Sequence, residues 1–184
     1  MKSIPTKTLA LIPLMTALLA VFAWISVPYV VPFTLQTMAV FLAAGLLGWK
    51  GGTLAVALYL LLGAVGLPVF AGFKGGAAAL LGPTGGYLIG FLATAVLVGA
   101  LGQRFTRWWQ SALAMAAGLL ACYALGTAWF VAVYTQTKGP VGVGAALMWC
   151  VVPYLLPDAV KIALSVVLVQ KLRPVLSRMG FERW

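Results

Sequence analysis

The sequence predicts an all-α integral membrane protein with six transmembrane helices, and composition and charge spacing are the observations that predict it. Of its 184 residues, 64% are hydrophobic and 8% are charged, against about 25% charged in a soluble domain. Charge-free stretches of at least 19 residues, enough for a membrane-spanning helix, run over 8–49, 51–73, 75–103, 108–137 and 139–157. Residues 1–184 are therefore predicted to form a single membrane domain.

Glycine, proline and polar residues divide these stretches into six predicted spans. The first apolar run is longer than the apolar core of a signal peptide, so it is predicted to be a retained helix. The spans lie near 9–26, 34–49, 51–66, 84–102, 111–134 and 157–173. A further apolar segment, 142–152, is too short to cross alone and is predicted to be an interfacial or half-crossing helix.

The basic residues predict the orientation, since cytoplasmic loops carry an excess of Lys and Arg. Twelve basic residues stand against two acidic ones. An inside N-terminus puts nine of the twelve in the cytoplasm: Lys2, Lys7, Lys50, Arg104, Arg107, Lys171, Arg173, Arg178 and Arg183. Only Lys74 and Lys138 then face outward, while Lys161 lies at the start of the sixth span. Both termini are therefore predicted to be cytoplasmic.

Several chemistries are excluded by composition. The chain has no histidine, which removes Ser-His and Cys-His nucleophiles and the usual metal sites. Cys122 and Cys150 lack CxxC spacing and are predicted to be small core hydrophobes. The segment around Lys74 reads GFKGG and is not a phosphate-binding loop. Neither a metal, a cofactor nor a nucleic acid is expected as a partner.

Asp158 and Lys161 are the leading candidates for a polar site. They are three residues apart on the sixth span and so share a helix face. One interpretation is that they present an acceptor and a cation to a polar ligand. The other is a helix cap after Pro157 with a lysine that reaches the membrane interface. Because ionisable groups beside a span are costly and usually functional, the first interpretation is favoured.

The outer connection between the third and fourth spans belongs to a glycine-rich segment, 66–91, with the sequence GLPVFAGFKGGAAALLGPTGGYLIGF. Irregular backbone at membrane depth is tolerated only where protein buries it or a cavity wets it. This long loop is therefore predicted to fold inward as a lid or pocket wall, a plain connection being the alternative. Gln36 and Tyr87 are predicted at the same outer level, which favours a pocket open to the outside.

Four motifs resemble those of the BioY family: VPFTLQT at 31–37, GLPVFAG at 66–72, LLGPTGGYLIGF at 80–91 and LLPDAVK at 155–161. Their order and spacing fit over nearly the whole chain. The resemblance implies the biotin-specific S component of an energy-coupling factor (ECF) transporter. Such a component is not an enzyme. It captures biotin outside a bacterial-type cytoplasmic membrane and delivers it inward with a transmembrane T component and two ABC-type ATPases.

The resemblance also implies which residues bind biotin. By motif, the family's late Asp and Lys fall on Asp158 and Lys161. Asp158 is expected to accept hydrogen bonds from the ureido nitrogens, and Lys161 to donate a charge-assisted bond, either at the carboxylate or in an exchanged or shared role. Further candidates are backbone groups around Gly75, Gly76 and Gly86, the side chains of Gln36 and Tyr87, and Phe70 and Trp24 beside the bicyclic ring.

Two departures from the family pattern and three alternatives accompany this interpretation. S components commonly carry AxxxA in the first helix for docking on the T component, and the nearest match here is Thr16 with Ala20, small enough for close approach. Pro157 stands where the family often has glycine. The alternatives are a stand-alone biotin carrier without ATPases, an intramembrane enzyme with Asp158 and Lys161 as acid and base, and a structural subunit.

Overall fold

The computed structural model describes residues 6–104 and 107–181, with side chains described over 9–102 and 107–181. Its helices are α1 Thr6–Trp24, α2 Gln36–Ala64, α3 Ala77–Leu81, α4 Gly85–Arg104, α5 Trp108–Lys138, α6 Val143–Cys150 and α7 Leu155–Arg178. Two short strands, β1 Ser26–Val27 and β2 Phe33–Thr34, pair antiparallel between α1 and α2. Single 3₁₀ turns lie at Ala71–Phe73 and Val152–Tyr154. The predicted all-helical class is confirmed.

α2 is folded back on itself as a helical hairpin. Gly48 interrupts it with φ 81° and ψ −173°, a conformation that glycine adopts without strain. In a straight helix, Gln36 and Tyr59 would lie about 34 Å apart along the axis, yet Gln36 Nε2 and Tyr59 Oη are 2.5 Å apart. Gly52 makes room for the reversal, because a Cβ there would lie 2.5 Å from the Cα of Ala44.

The six predicted spans correspond to helices of the described chain. They are α1, the two halves of α2 (36–47 and 49–64), α4, α5 and α7. By length and composition the long spans are Gln36–Ala64, Gly85–Gly102, Trp108–Lys138 and Val143–Arg178, with Leu9–Trp24 as a shorter apolar helix. The predicted half-crossing segment is α6 with the 3₁₀ turn after it. It leads directly into α7, whose first turn contains Pro157.

Small residues let the helices approach one another closely. α4 packs between α2 and α5, and a Cβ at Gly99 would overlap the Cα of Trp49. On the other side of α4, the Thr94 hydroxyl donates to the Gly118 carbonyl of α5 at 2.8 Å. These contacts hold the helices in one bundle and fix the relative heights of their ends.

The first helix turns its small residues inward. Thr16 and Ala20 are both buried, and the Thr16 hydroxyl donates to the Ala55 carbonyl of α2 at 3.0 Å. Both residues lie inside the bundle, where Thr16 contacts α2, and their role in docking on the T component stays a prediction. The exposed face of α1 carries Leu14, Ala17 and Val21 instead.

The two ends of the bundle differ in charge. At one end, here called the basic end, lie the turn at Gly48, the start of α5 and the end of α7. Its described basic side chains are Lys50, Arg107, Lys171, Arg173 and Arg178. The opposite end, the cavity end, holds the end of α1, both ends of α2 and the starts of α4 and α7. Lys2 and Arg183 lie outside the described residues, and the predicted orientation stays a prediction.

Candidate functional site

A cavity of about 480 Å³ lies at the cavity end of the bundle. This volume is within the range of pockets that enclose a small organic ligand. Its wall is contributed by the start of α2, the loop 65–84, the start of α4, the middle of α5 and the segment from α6 to α7. Most of the wall is apolar or aromatic, with a small set of polar side chains, which is the usual composition of a ligand pocket.

An ion pair forms the charged part of this wall. Lys161 Nζ lies 2.7 Å from Asp158 Oδ1, and the two residues are only 5% and 2% exposed. Their spacing of three residues on α7 brings them onto one face, as the sequence predicts. Such a pair is strongly destabilising if one member is lost, because the other charge stays buried without compensation.

Neighbouring groups complete the hydrogen bonds of the pair. Lys161 Nζ donates to the Thr34 carbonyl at 2.6 Å and to Thr37 Oγ1 at 3.3 Å, and lies 4.3 Å from the centre of the Phe33 ring. The Thr37 hydroxyl also lies 3.3 Å from Asp158 Oδ1. Tyr123 of α5 donates its hydroxyl to Asp158 Oδ2 at 2.5 Å. Three elements, β2, α2 and α5, therefore fix the position of the ion pair.

Sequence reasoning missed Tyr123, although it touches the carboxylate directly. It stands in the middle of an apolar span, with no polar neighbour in the sequence to mark it. The available signal was general: a buried tyrosine hydroxyl usually finds a hydrogen-bond partner. Its partner lies 35 residues away on α7, and no local pattern indicates that distance.

Gln36 joins the start of α2 to the end of the same hairpin. Its Nε2 donates to Tyr59 Oη, and its Oε1 accepts from the Thr34 hydroxyl at 2.9 Å. The Tyr59 hydroxyl in turn donates to the Val69 carbonyl of the loop at 3.1 Å. This chain of bonds connects the cavity wall to the loop 65–84.

The loop 65–84 forms one side of the cavity. Phe70 is buried on Gly63, where a Cβ would overlap the Phe70 ring. The Gly76 amide donates to the Gly63 carbonyl at 2.7 Å and closes the turn. Between these two anchors, Lys74 and Gly75 line the cavity. Lys74 is exposed. It is not among the residues that the sequence predicts to bind biotin.

Six of the predicted site residues line the cavity together: Gln36, Phe70, Gly75, Tyr87, Asp158 and Lys161. Tyr87 is held there by a 3.0 Å hydrogen bond between its hydroxyl and that of Thr127. Cys122 and Cys150 are buried free thiols and also line the wall. Over 6–104 and 107–181, no three His, Cys, Asp or Glu side chains are grouped as a metal site.

Three predicted site residues lie outside the cavity wall and shape its surroundings. Trp24 donates its indole N–H to the Pro68 carbonyl at 2.8 Å and stacks on Phe73 at 5.2 Å, which fastens the loop to the end of α1. Gly76 has φ 91° at the turn before α3. Gly86 packs under Trp129, where a Cβ would overlap the Trp129 side chain.

Comparison with known proteins gives consistent matches. A sequence profile described as the BioY family matches residues 1–178. A protein named biotin transporter BioY from Thermotoga maritima is 45% identical over 159 residues, covering 86% of this chain and 90% of that protein. A protein named probable biotin transporter BioY from Pyrococcus horikoshii is 41% identical over 168 residues, covering 91% of this chain and 96% of that protein.

The fold has a match of the same kind among solved structures. The crystal structure at 2.1 Å of the S component for biotin from an ECF-type ABC transporter superimposes with a TM-score of 0.82. The two chains are 32% identical, and the match covers 92% of each. These relatives are named as transporters or transporter components, which separates the chain from the intramembrane enzymes considered above. The chain is a multi-pass membrane protein of the BioY family.

Proposed function

We propose that this chain is a biotin-binding S component of an ECF-type transporter and that it takes up biotin through the cavity described above. The observation that carries the proposal is the buried Asp158 and Lys161 pair in the wall of an apolar cavity of about 480 Å³. The relatives named as biotin transporters support the choice of ligand.

The geometry of the ion pair favours a shared role at the head of biotin. The ureido ring presents a carbonyl oxygen between two N–H groups. Asp158 accepts from a ureido N–H, and Lys161 donates to the ureido oxygen, so each charged group meets the opposite hydrogen-bonding character. Because Nζ and Oδ1 are only 2.7 Å apart, both side chains reach the same end of the ligand. The sequence left open whether Lys161 meets the carboxylate of biotin or shares the ureido ring with Asp158, and the short distance between the two side chains favours the shared role.

The carboxylate of biotin then requires a separate partner. It is separated from the ureido ring by the second ring and a four-methylene chain. Lys74 is the other cation that lines the cavity in the described part of the chain, and it lies on the loop 65–84, whereas Asp158 and Lys161 lie on α7. We assign the carboxylate to Lys74, with the apolar wall, including Phe70 and Phe91, covering the body of the ligand between the two ends.

The proposed transport cycle uses this arrangement and the difference in charge between the two ends of the bundle. The cavity end faces outward and both termini are cytoplasmic, because the basic residues collect at the opposite end. The chain lies in the cytoplasmic membrane of a bacterial-type cell. The loop 65–84 closes over captured biotin, and the energy for delivery inward comes from a transmembrane T component and two ABC-type ATPases.

Binding to the purified chain tests the proposal. Isothermal titration with biotin compares the wild type with Asp158→Ala and Lys161→Ala. We expect each variant to lose at least about 30-fold in affinity, since truncating one partner of a buried charge pair costs about 2 kcal/mol or more. Lys138→Ala is the matched control, because that lysine is exposed, lies beside the Tyr134 ring and does not line the cavity. A wild type that binds no biotin refutes the proposal.

A stand-alone carrier uses the same cavity, so uptake has to be measured separately. Cells that lack the T component and ATPases are compared with cells that contain them, at equal amounts of this chain in the membrane. Uptake that depends on the ATPases supports the ECF assignment. Equal uptake in both strains contradicts that part of the proposal and leaves the biotin site intact.

A further inference from the structure

The hydrogen bonds of the Lys161 ammonium are all made to protein groups. A lysine ammonium carries three N–H donors and no acceptor. Its Nζ donates to the Thr34 carbonyl at 2.6 Å, to Asp158 Oδ1 at 2.7 Å and to Thr37 Oγ1 at 3.3 Å. A ligand that accepts a hydrogen bond from Lys161 therefore has to take the place of one of these three acceptors.

The Asp158 carboxylate still has room for a ligand. Its two oxygens together offer about four acceptor positions. Oδ1 accepts from Lys161 and Thr37, and Oδ2 accepts from the Tyr123 hydroxyl. A position on Oδ2 is therefore left for an N–H of a ligand. Asp158 can accept from the ureido ring with its present bonds intact, whereas Lys161 can donate to that ring only by an exchange.

Thr37 is the acceptor that can leave Lys161 most easily. Its contact is the longest of the three, and Thr37 is half-buried, whereas Thr34 and Asp158 are 7% and 2% exposed. The Thr34 acceptor is a backbone carbonyl of β2, and Asp158 is held by Tyr123. The Thr37 hydroxyl needs only a rotation about χ1, since threonine in a helix has two favoured χ1 angles.

The Thr37 hydroxyl has the same hydrogen-bonding character as an edge of the ureido ring. It accepts from Lys161 Nζ at 3.3 Å and donates to Asp158 Oδ1 at 3.3 Å. A ureido edge likewise places a carbonyl acceptor beside an N–H donor. Thr37 lines the same cavity as the ion pair. The hydroxyl and the head of the ligand therefore compete for the same two charged groups.

We infer that biotin displaces the Thr37 hydroxyl from Lys161 and that this competition sets the affinity and specificity of the cavity. The inference rests on the proposed function, because it takes biotin as the ligand. The bond from Lys161 to Thr37 breaks as the bond from Lys161 to the ureido oxygen forms, so the ammonium keeps three acceptors. A ligand with an acceptor alone replaces only half of what Thr37 supplies, which favours ligands that carry both groups side by side.

Titration of the purified Thr37→Val variant with biotin tests this inference. Valine keeps the branched shape of threonine and removes the competing hydroxyl. We expect biotin to bind at least about tenfold more tightly than to the wild type, the ratio that corresponds to about 1.5 kcal/mol for a hydrogen bond to a charged group. Biotin methyl ester should gain by the same factor, because the exchange takes place at the ureido end.

The same substitution at Thr137 is the matched control. Thr137 is exposed, does not line the cavity and donates its hydroxyl to the Val133 carbonyl, so Thr137→Val should leave biotin affinity unchanged. Thr37→Ser restores a hydroxyl and should gain much less than Thr37→Val. Thr37→Ala, which also lacks the hydroxyl, decides the result if the valine variant cannot be purified.

The outcomes separate this inference from the proposed function. Unchanged or weaker biotin binding by Thr37→Val would overturn the inference while the wild type still binds biotin, because the hydroxyl would then either not compete or contact the ligand directly. An equal gain in Thr37→Ser, or a gain for biotin that its methyl ester does not share, would also overturn it. A wild type that binds no biotin refutes the proposed function, and this inference with it.

Discussion

The Asp158 and Lys161 pair should stabilise the fold as a unit, so that two substitutions together cost less than their sum. At 2.7 Å and an effective dielectric constant of about 20, the attraction between the charges is about 6 kcal/mol. Desolvation of both ions offsets much of this gain. Asp158→Asn leaves the buried ammonium without its counter-charge, and the expected loss of unfolding free energy is about 3–5 kcal/mol.

Lys161→Met should cost a similar amount, because each charge left behind keeps hydrogen bonds of its own: in Asp158→Asn the Lys161 ammonium keeps the Thr34 carbonyl at 2.6 Å. The Asp158 carboxylate keeps the hydroxyl of Tyr123 at 2.5 Å and that of Thr37 at 3.3 Å, and hydrogen bonds partly compensate a buried charge. The double variant, Asp158→Asn with Lys161→Met, places no uncompensated charge in the wall. We expect it to be at least about 2 kcal/mol more stable than the sum of the single losses predicts.

Unfolding can be followed through the chain's own thiols. Cys122 and Cys150 are free and buried, so a thiol-reactive fluorogenic maleimide reports their exposure as the protein unfolds on heating. A loss of about 3–5 kcal/mol corresponds to a midpoint shift on the order of 10 °C. Thr37→Val is the control, because it leaves both charges in place and removes only a hydroxyl that lies 3.3 Å from each of them, at a cost of about 1.5–3 kcal/mol. Additive losses in the double variant would refute the reasoning.

Three further predictions concern the wall and the loop. Lys74→Met should weaken biotin more than biotin methyl ester in titration, since only biotin carries the charge that Lys74 binds; equal weakening of both would contradict the assignment. Gly63→Leu should displace Phe70, whose ring occupies the space of a Cβ at that position, and should lower both the unfolding midpoint and biotin affinity; an unchanged affinity would show that this contact does not shape the site. Trp24→Phe should lose the 2.8 Å hydrogen bond to the Pro68 carbonyl. We expect the biotin dissociation rate to rise a few-fold and the unfolding midpoint to stay within a few degrees of the wild type. A large fall in the unfolding midpoint would show instead that Trp24 stabilises the fold.

The parts of the fold that depend on local patterns were predictable from the sequence. Runs without charge mark the spans, and the spacing of Asp158 and Lys161 fixes their common face whatever surrounds them. The boundary between the second and third predicted spans lies near Lys50, and α2 folds back at Gly48, because glycine there permits a positive φ. These features need no knowledge of the neighbouring helices.

The parts that depend on helix rotation were not predictable. A small residue such as Thr16 suits close packing against any helix, and the sequence does not say whether the partner is α2 or another protein. Tyr123 and Asp158 meet only because α5 and α7 are rotated toward each other. Trp24 lies at the predicted level of the membrane, but its side chain points to Pro68 instead of the cavity. The direction of a side chain at a helix end is set by packing against its neighbours, which its position along the helix does not reveal.

The hairpin in α2 has a consequence for how the protein enters the membrane. Its first half, 36–47, is about 18 Å long at about 1.5 Å per residue, shorter than the hydrocarbon core of about 30 Å. With Gly48 alone between the halves, no loop is long enough for one half to wait outside while the other inserts. We expect the two halves to leave the insertion machinery together as one unit.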